Sequence, residues 1–149
     1  VPIIGGSGGG VTSIVQASVV SVSSGDLTTA STSFTDATGL TTTITTGGHR
    51  CLVIFSGWGN NSTSGQNTAV DLAIDGTRQG QTYGLAITGA GGTTGANGSL
   101  SFTFLTAVLS AASHTFKIQF RADGGTAKIW ASAAVTAATI TVIETGLTT

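Results

Sequence analysis

The sequence predicts an all-β fold, an antiparallel β-sandwich of jelly-roll type, and three observations predict it. Thr, Val, Ile and aromatic residues recur in short runs, a composition suited to pleated, half-buried strands. Clusters of Gly, Asn and Ser separate those runs at spacings of about 8–12 residues, the rhythm of sandwiches and barrels. Leu, Glu, Lys, Gln and Met are scarce and no run alternates strand with helix, so a parallel βαβ sheet is not expected.

The elements follow in chain order. Residues 1–10 hold five glycines and no periodicity, and they read as a flexible arm. Its apolar Val1, Ile3 and Ile4 could dock on a neighbour. Residues 11–149 are expected to form one sandwich domain. Val11, Ile14, Val15 and Val19 mark residues 11–23 as a long extended segment, one that could add a strand to an adjacent sheet. These seven residues are the candidate assembly contacts.

Gly25 and Asp26 then turn the chain, and residues 33–37 and 40–45 read as short strands broken at Gly39. Residues 50–58 pass through Cys51, Leu52, Val53, Ile54 and Phe55, so they read as a central strand covered on both faces. Val70, Leu72 and Ile74 alternate with Asp71, Ala73 and Asp75, which suggests a half-buried strand ending in a turn at Asp75 and Gly76. A glycine-rich loop is expected at 89–98, after a strand at 83–88. Leu100, Phe102 and Phe104 alternate, as do Phe116, Ile118 and Phe120, with Lys117, Gln119 and Arg121 facing the other way. Asp123, Gly124 and Gly125 read as a hairpin tip leading into residues 126–133. Ile140 and Val142 mark the last strand, near Glu144.

Charge is the unusual quantity. Charged side chains make up 7% of the 149 residues, against a usual share of about 25%. The mass of 14.6 kDa implies a folded surface of roughly 6,900 Å², or one charge per about 600 Å². With a net charge of −1, little repulsion keeps such molecules apart, which points to a subunit covered by partners. Arg50, Arg78, Lys117, Arg121 and Lys128 are scattered, so nucleic acid is not an expected partner. No apolar run reaches the length of a bilayer span, so no membrane partner is expected either. Cys51, the one cysteine, lies in an apolar run and reads as a buried, inert thiol.

The sequence nominates no catalytic residue, cofactor or metal site. Asp71 and Asp75 would lie about 13 Å apart on one strand face, beyond the roughly 5–9.5 Å of a glycosidase carboxylate pair. Asp75 reads as a turn former and Asp71 as a solvent or interface residue. His49 and His114 each precede a strand, and neither has a further ligand at zinc-site spacing. Trp58, Trp130 and Tyr83 could form a carbohydrate platform, although core or interface packing is the plainer expectation.

Thr32-Ser33-Phe34-Thr35-Asp36-Ala37-Thr38-Gly39-Leu40, leading through Thr41-Thr42-Thr43-Ile44-Thr45 to the apolar Cys51-Leu52-Val53-Ile54-Phe55, resembles a module of phage virion structural proteins. Asp75-Gly76-Thr77, residues 113–120 and residues 138–144 continue the pattern. Such modules occur in tail fibres, head fibres and capsid decoration proteins. The resemblance implies a C1q/TNF-like jelly roll, often a homotrimer, on the virion surface, with the major capsid protein or other virion proteins as partners. The expected role is a capsid decoration or cementing protein. The alternatives are a tail-fibre or receptor-binding tip touching host glycans, or an extracellular filament subunit joined by strand donation.

Overall fold

A computed structural model describes residues 14–88, 97–132 and 136–148. The arm at 1–10, with Val1, Ile3 and Ile4, lies outside the described residues, as do Val11 and most of the loop expected at 89–98. The described residues form eleven strands. They are β1 (Ile14–Val22), β2 (Leu27–Thr29), β3 (Thr35–Thr45), β4 (Cys51–Asn61), β5 (Thr68–Ile74), β6 (Thr77–Arg78), β7 (Ala86–Thr88), β8 (Gly98–Leu105), β9 (Ser113–Ala122), β10 (Ala127–Trp130) and β11 (Ala138–Thr145).

Two antiparallel sheets stack to make the expected sandwich. In the first, β4 is central, with β8 along one edge. β11 and β10 share its other edge end to end, and β1 and β2 extend the sheet from them. The second sheet runs β3, β9, β5, with β6 and β7 on successive stretches of the far edge of β5. The chain changes sheet on passing from β3 to β4 to β5, and again from β7 through β8 and β9 to β10. This jelly-roll-like winding sends β3, β5 and β9 to one layer and β4, β8 and β10 to the other.

The core lies between the layers because the period-2 apolar residues point there from both sides. Val53, Phe55, Leu100, Ile129, Ile140 and Val142 come from the first sheet, and Leu40, Val70, Leu72, Phe116, Ile118 and Phe120 from the second. Phe55 and Phe102 meet with ring centroids 5.6 Å apart and planes tilted by 39°. Cys51 is fully buried, as its sequence context suggests; burial, and then the charge of Glu144, push its thiol up to about 11.

Four local expectations are corrected. The two strands expected around Gly39 are one, β3, whose pairing with β9 shifts register between Asp36 and Thr41. β4 is buried on one face only: Ile54 is 36% exposed and Trp58 51%. β5 is the reverse case, buried at every position. Asp123–Gly125 is not a hairpin tip, because β9 belongs to the second sheet and β10 pairs with β4 and β2 in the first. The Asn61 side chain explains this crossing, donating to the carbonyls of Asn67 (3.0 Å) and Gly124 (2.9 Å) and so tying the ends of both sheets together. The turn at Asp75 and Gly76 stands where expected, with φ of 50° and 82°, and it closes the β5–β6 hairpin.

Candidate assembly face

Pairing register places the outward residues of the first sheet in rows across β1, β11, β4 and β8, since directly paired residues share a face. The first row is Ala17, Ile143, Leu52 and Leu105, all apolar. The second is Val19, Thr141, Ile54 and Thr103, and the third is Ser21, Thr139, Ser56 and Ser101, all hydroxyls. None of these twelve side chains is charged. Val19 is 62% exposed, and Leu105 also stands in solvent. Among the described residues, branched aliphatic groups thus stand on a pleated surface with no polar cover.

Seven of the eleven charged residues belong to the other sheet. Asp36, Asp71, Asp75, Arg78, Lys117, Arg121 and Asp123 all sit on β3, β5, β6 and β9 of the second sheet or in the turns at their ends. Lys117 pairs with Asp36 at 2.6 Å and Arg121 with Asp123 at 2.7 Å. The uncharged rows and the ion pairs of the second sheet thus lie on opposite sides, and on the first sheet Lys128 pairs with Asp26 beyond the rows, beside Trp130. The uncharged rows are flanked by unpaired backbone: among the described residues β1 pairs only with β11, and β8 only with β4.

Of the candidate assembly residues, Ile14, Val15 and Val19 lie on β1 and are exposed, with a register shift between Ile14 and Gln16 that turns Val15 out of the ladder. The extended segment proposed for donation is paired to its own chain along β11. Its inward residues pack on β3, where the Ser18 and Thr42 hydroxyls meet at 2.7 Å. Leu52, Ile54, Leu105 and Ile143 were not singled out in the sequence. All five residues at 51–55 are apolar, which reads equally as a strand covered on both faces.

No family model matches this chain. No curated protein matches it either. Among solved structures it is similar to murine APRIL, with 12% identity and a TM-score of 0.49 over 87% of this chain and 99% of that one. It is also similar to a structure of infectious bursal disease virus, Gt strain, with 13% identity and a TM-score of 0.43 over 97% of this chain. A mutant VP2 protein of infectious bursal disease virus in T=1 particles gives 13% identity and a TM-score of 0.42, again over 97% of this chain. The chain spans about four-tenths of the length of these viral chains.

The polar residues weighed in the sequence are hydrogen-bonded within the fold. Asp71 is fully buried, which corrects its expected place on a solvent face. It lies on the outer side of β5, but residues 78–80 fold back over it. Arg78 Nε donates to Oδ2 at 2.7 Å, and the amides of Leu72 and Gly80 donate to Oδ1 at 2.8 and 2.9 Å. A side chain at position 80 would collide with that carboxylate, 2.6 Å away, so glycine is required there. Arg78 also lies flat on Phe34, 3.8 Å from the ring centroid.

Each histidine has a carboxylate that no local spacing reveals. His49 Nδ1 lies 2.9 Å from Oε1 of Glu144, and His114 Nδ1 lies 2.6 Å from Oδ2 of Asp75. Burial pushes the Glu144 carboxyl up, but hydrogen bonds from Gln16, His49 and the Gly47 amide outweigh it and hold it below its ordinary range. The Thr115 amide and His114 lower Asp75, and the Asp75 carboxylate raises His114. The signs follow by linkage. The two carboxylates add stability in full above their ordinary values of 3.8 and 4.5, and it drains as pH falls through their lower folded values. His114 adds stability in full below 6.5, and it is lost as pH rises through a higher folded value. The urea midpoint should therefore fall on both sides of a mildly acidic plateau. His114→Gln should remove the alkaline fall and leave the acid one, at least its Glu144 part.

Proposed function

We propose that this chain is a virion structural protein that self-associates as a trimer, decorating or cementing the outside of a phage head. The observation that carries the assembly reading is the row Ala17, Ile143, Leu52 and Leu105, which runs unbroken across four strands and is followed by two further rows without charge. Three rows on four strands cover about 400 Å², taking strand spacings of about 4.8 Å and side-chain repeats of about 6.7 Å. A standard interface buries about 800 Å² per partner, so the unpaired edges of β1 and β8 would supply the remainder. The phage-module resemblance of residues 32–45 supports the virion setting and the trimer. On this reading the molecule is not an enzyme, and its histidine–carboxylate pairs hold turns and strand ends.

Light scattering on the purified protein tests the reading. A mass of three chains of 14.6 kDa at micromolar concentration is the expected result. A monomer throughout that range would overturn it.

A further inference from the structure

Beyond the hydroxyl row the same sheet face changes character. Here β10 replaces β11 beside β4, and the register sets Trp130 directly opposite Trp58. The two indoles, with Asn97 and Thr136, line a cleft of about 510 Å³, within the range of small-molecule sites. Trp58 is half exposed, whereas the Trp130 indole N–H is shielded from solvent and has no acceptor. Trp58 therefore offers an exposed aromatic face, with the Trp130 ring beside it.

The remaining groups narrow the chemistry. The Lys128 ammonium sits 4.6 Å from the Trp130 ring centroid and 3.2 Å from Oδ2 of Asp26, so its charge is already matched. Asn60 donates to the Asn97 side-chain carbonyl at 3.2 Å, which leaves the Asn97 amide N–H groups to meet a ligand. No carboxylate lines the cleft among the described residues. Aromatic faces suit the C–H face of a sugar ring, and amides and a hydroxyl suit its equatorial hydroxyls. A nucleotide would need an unmatched cation for its phosphate, which this cleft does not offer. Tyr83 takes no part: its ring lies against Arg121 of β9 in the second sheet.

We propose that the Trp58–Trp130 cleft binds a neutral hexopyranose unit of a glycan. The site goes beyond the assembly reading and does not depend on it, because the row Ser21, Thr139, Ser56 and Ser101 separates the indoles from the apolar rows.

These are the chain's two tryptophans, so its indole fluorescence reports on this cleft alone. Titration with cellohexaose, maltohexaose and chitohexaose should give a saturable emission change with at least one of them, at millimolar affinity or tighter. Trp58→Ala, at an exposed position, should weaken that binding by about tenfold or more, a loss near 1.4 kcal/mol. Trp130→Phe keeps an aromatic face while removing the N–H, and should weaken binding less than Trp58→Ala does. Retention on columns of the same sugars checks each variant independently of fluorescence. No response to any of the three sugars would overturn the proposal, as would undiminished binding by Trp58→Ala. Binding of polysialic acid in place of the neutral sugars would overturn the ligand class. Trp58 emission that shifts only with protein concentration would assign the indole to a subunit contact instead.

Discussion

Glu144→Ala should lower the unfolding free energy by about 3–5 kcal/mol, the usual cost of breaking a buried charged network by removing one member. The carboxylate is fully buried and accepts from Gln16 Nε2 at 2.7 Å, His49 Nδ1 at 2.9 Å and the Gly47 amide at 2.6 Å. Alanine strands all three donors at once and leaves a cavity where the end of β11 meets the start of β4. For a domain of this size the loss corresponds to a fall in Tm of about 10–15 °C. Glu144→Gln keeps the shape and an acceptor oxygen, so it should cost about 1–3 kcal/mol. Urea denaturation separates the two variants. Hydrogen exchange should show the amides of β1 opening first in both, since Gln16 ties that strand to the carboxylate. A loss below about 1 kcal/mol for the alanine variant would mean that the network adds nothing net.

With the uncharged rows as the proposed subunit contact, Ile54→Lys should convert the proposed oligomer to monomer while leaving the sandwich folded. Ile54 points away from the core, in the second of the outward rows, so the isolated subunit has room for a lysine. In the assembly the same position would forfeit about 1.5–3 kcal/mol of apolar burial. It would also force an ammonium into a face with no carboxylate to receive it, adding several kcal/mol. Together these weaken association by about a thousandfold or more. Sedimentation should show one chain per particle at concentrations where the parent is assembled, with an unchanged far-ultraviolet spectrum. Lys117→Ala on the opposite sheet serves as the control and should leave the assembly intact. Should Ile54→Lys assemble as the parent does, the contact lies elsewhere on the molecule.

Much of this fold was legible because β-structure writes its faces into the sequence with period 2. Phe116, Ile118 and Phe120 line the core from β9, and Ile140 and Val142 do so from β11, as their alternation indicates. The Asp75–Gly76 turn was equally plain, since its backbone needs positive φ at both positions. Legibility failed where coverage, not alternation, decides burial. Asp71 looks like a surface carboxylate until residues 78–80 close over it. Leu52 and Ile54 look doubly buried, yet nothing in the described chain covers their outer side. Trp58 looked like packing material, and only the register of β10 on β4 sets it beside Trp130 at a cleft. The pairing of Glu144 with His49 spans 95 residues, and no local pattern encodes such a contact. The run at 123–125 misled for the same reason, because two glycines bend a chain without saying which sheet it enters next.

The order in which β4 acquires its neighbours has a kinetic meaning. Its flanking strands β8, β10 and β11 all come later in the chain, and β1 waits for β11, with the Gln16–Glu144 contact closing a separation of 128 residues. Few local pairings are available to a nascent chain, so the loop-closure entropy is spent before the long-range ladders repay it. Until β11 has left the ribosome, β1 has no ladder to join and one half of β4 has an empty edge. Completion of the first sheet thus waits for β11, and its apolar rows remain open to wrong partners throughout that interval.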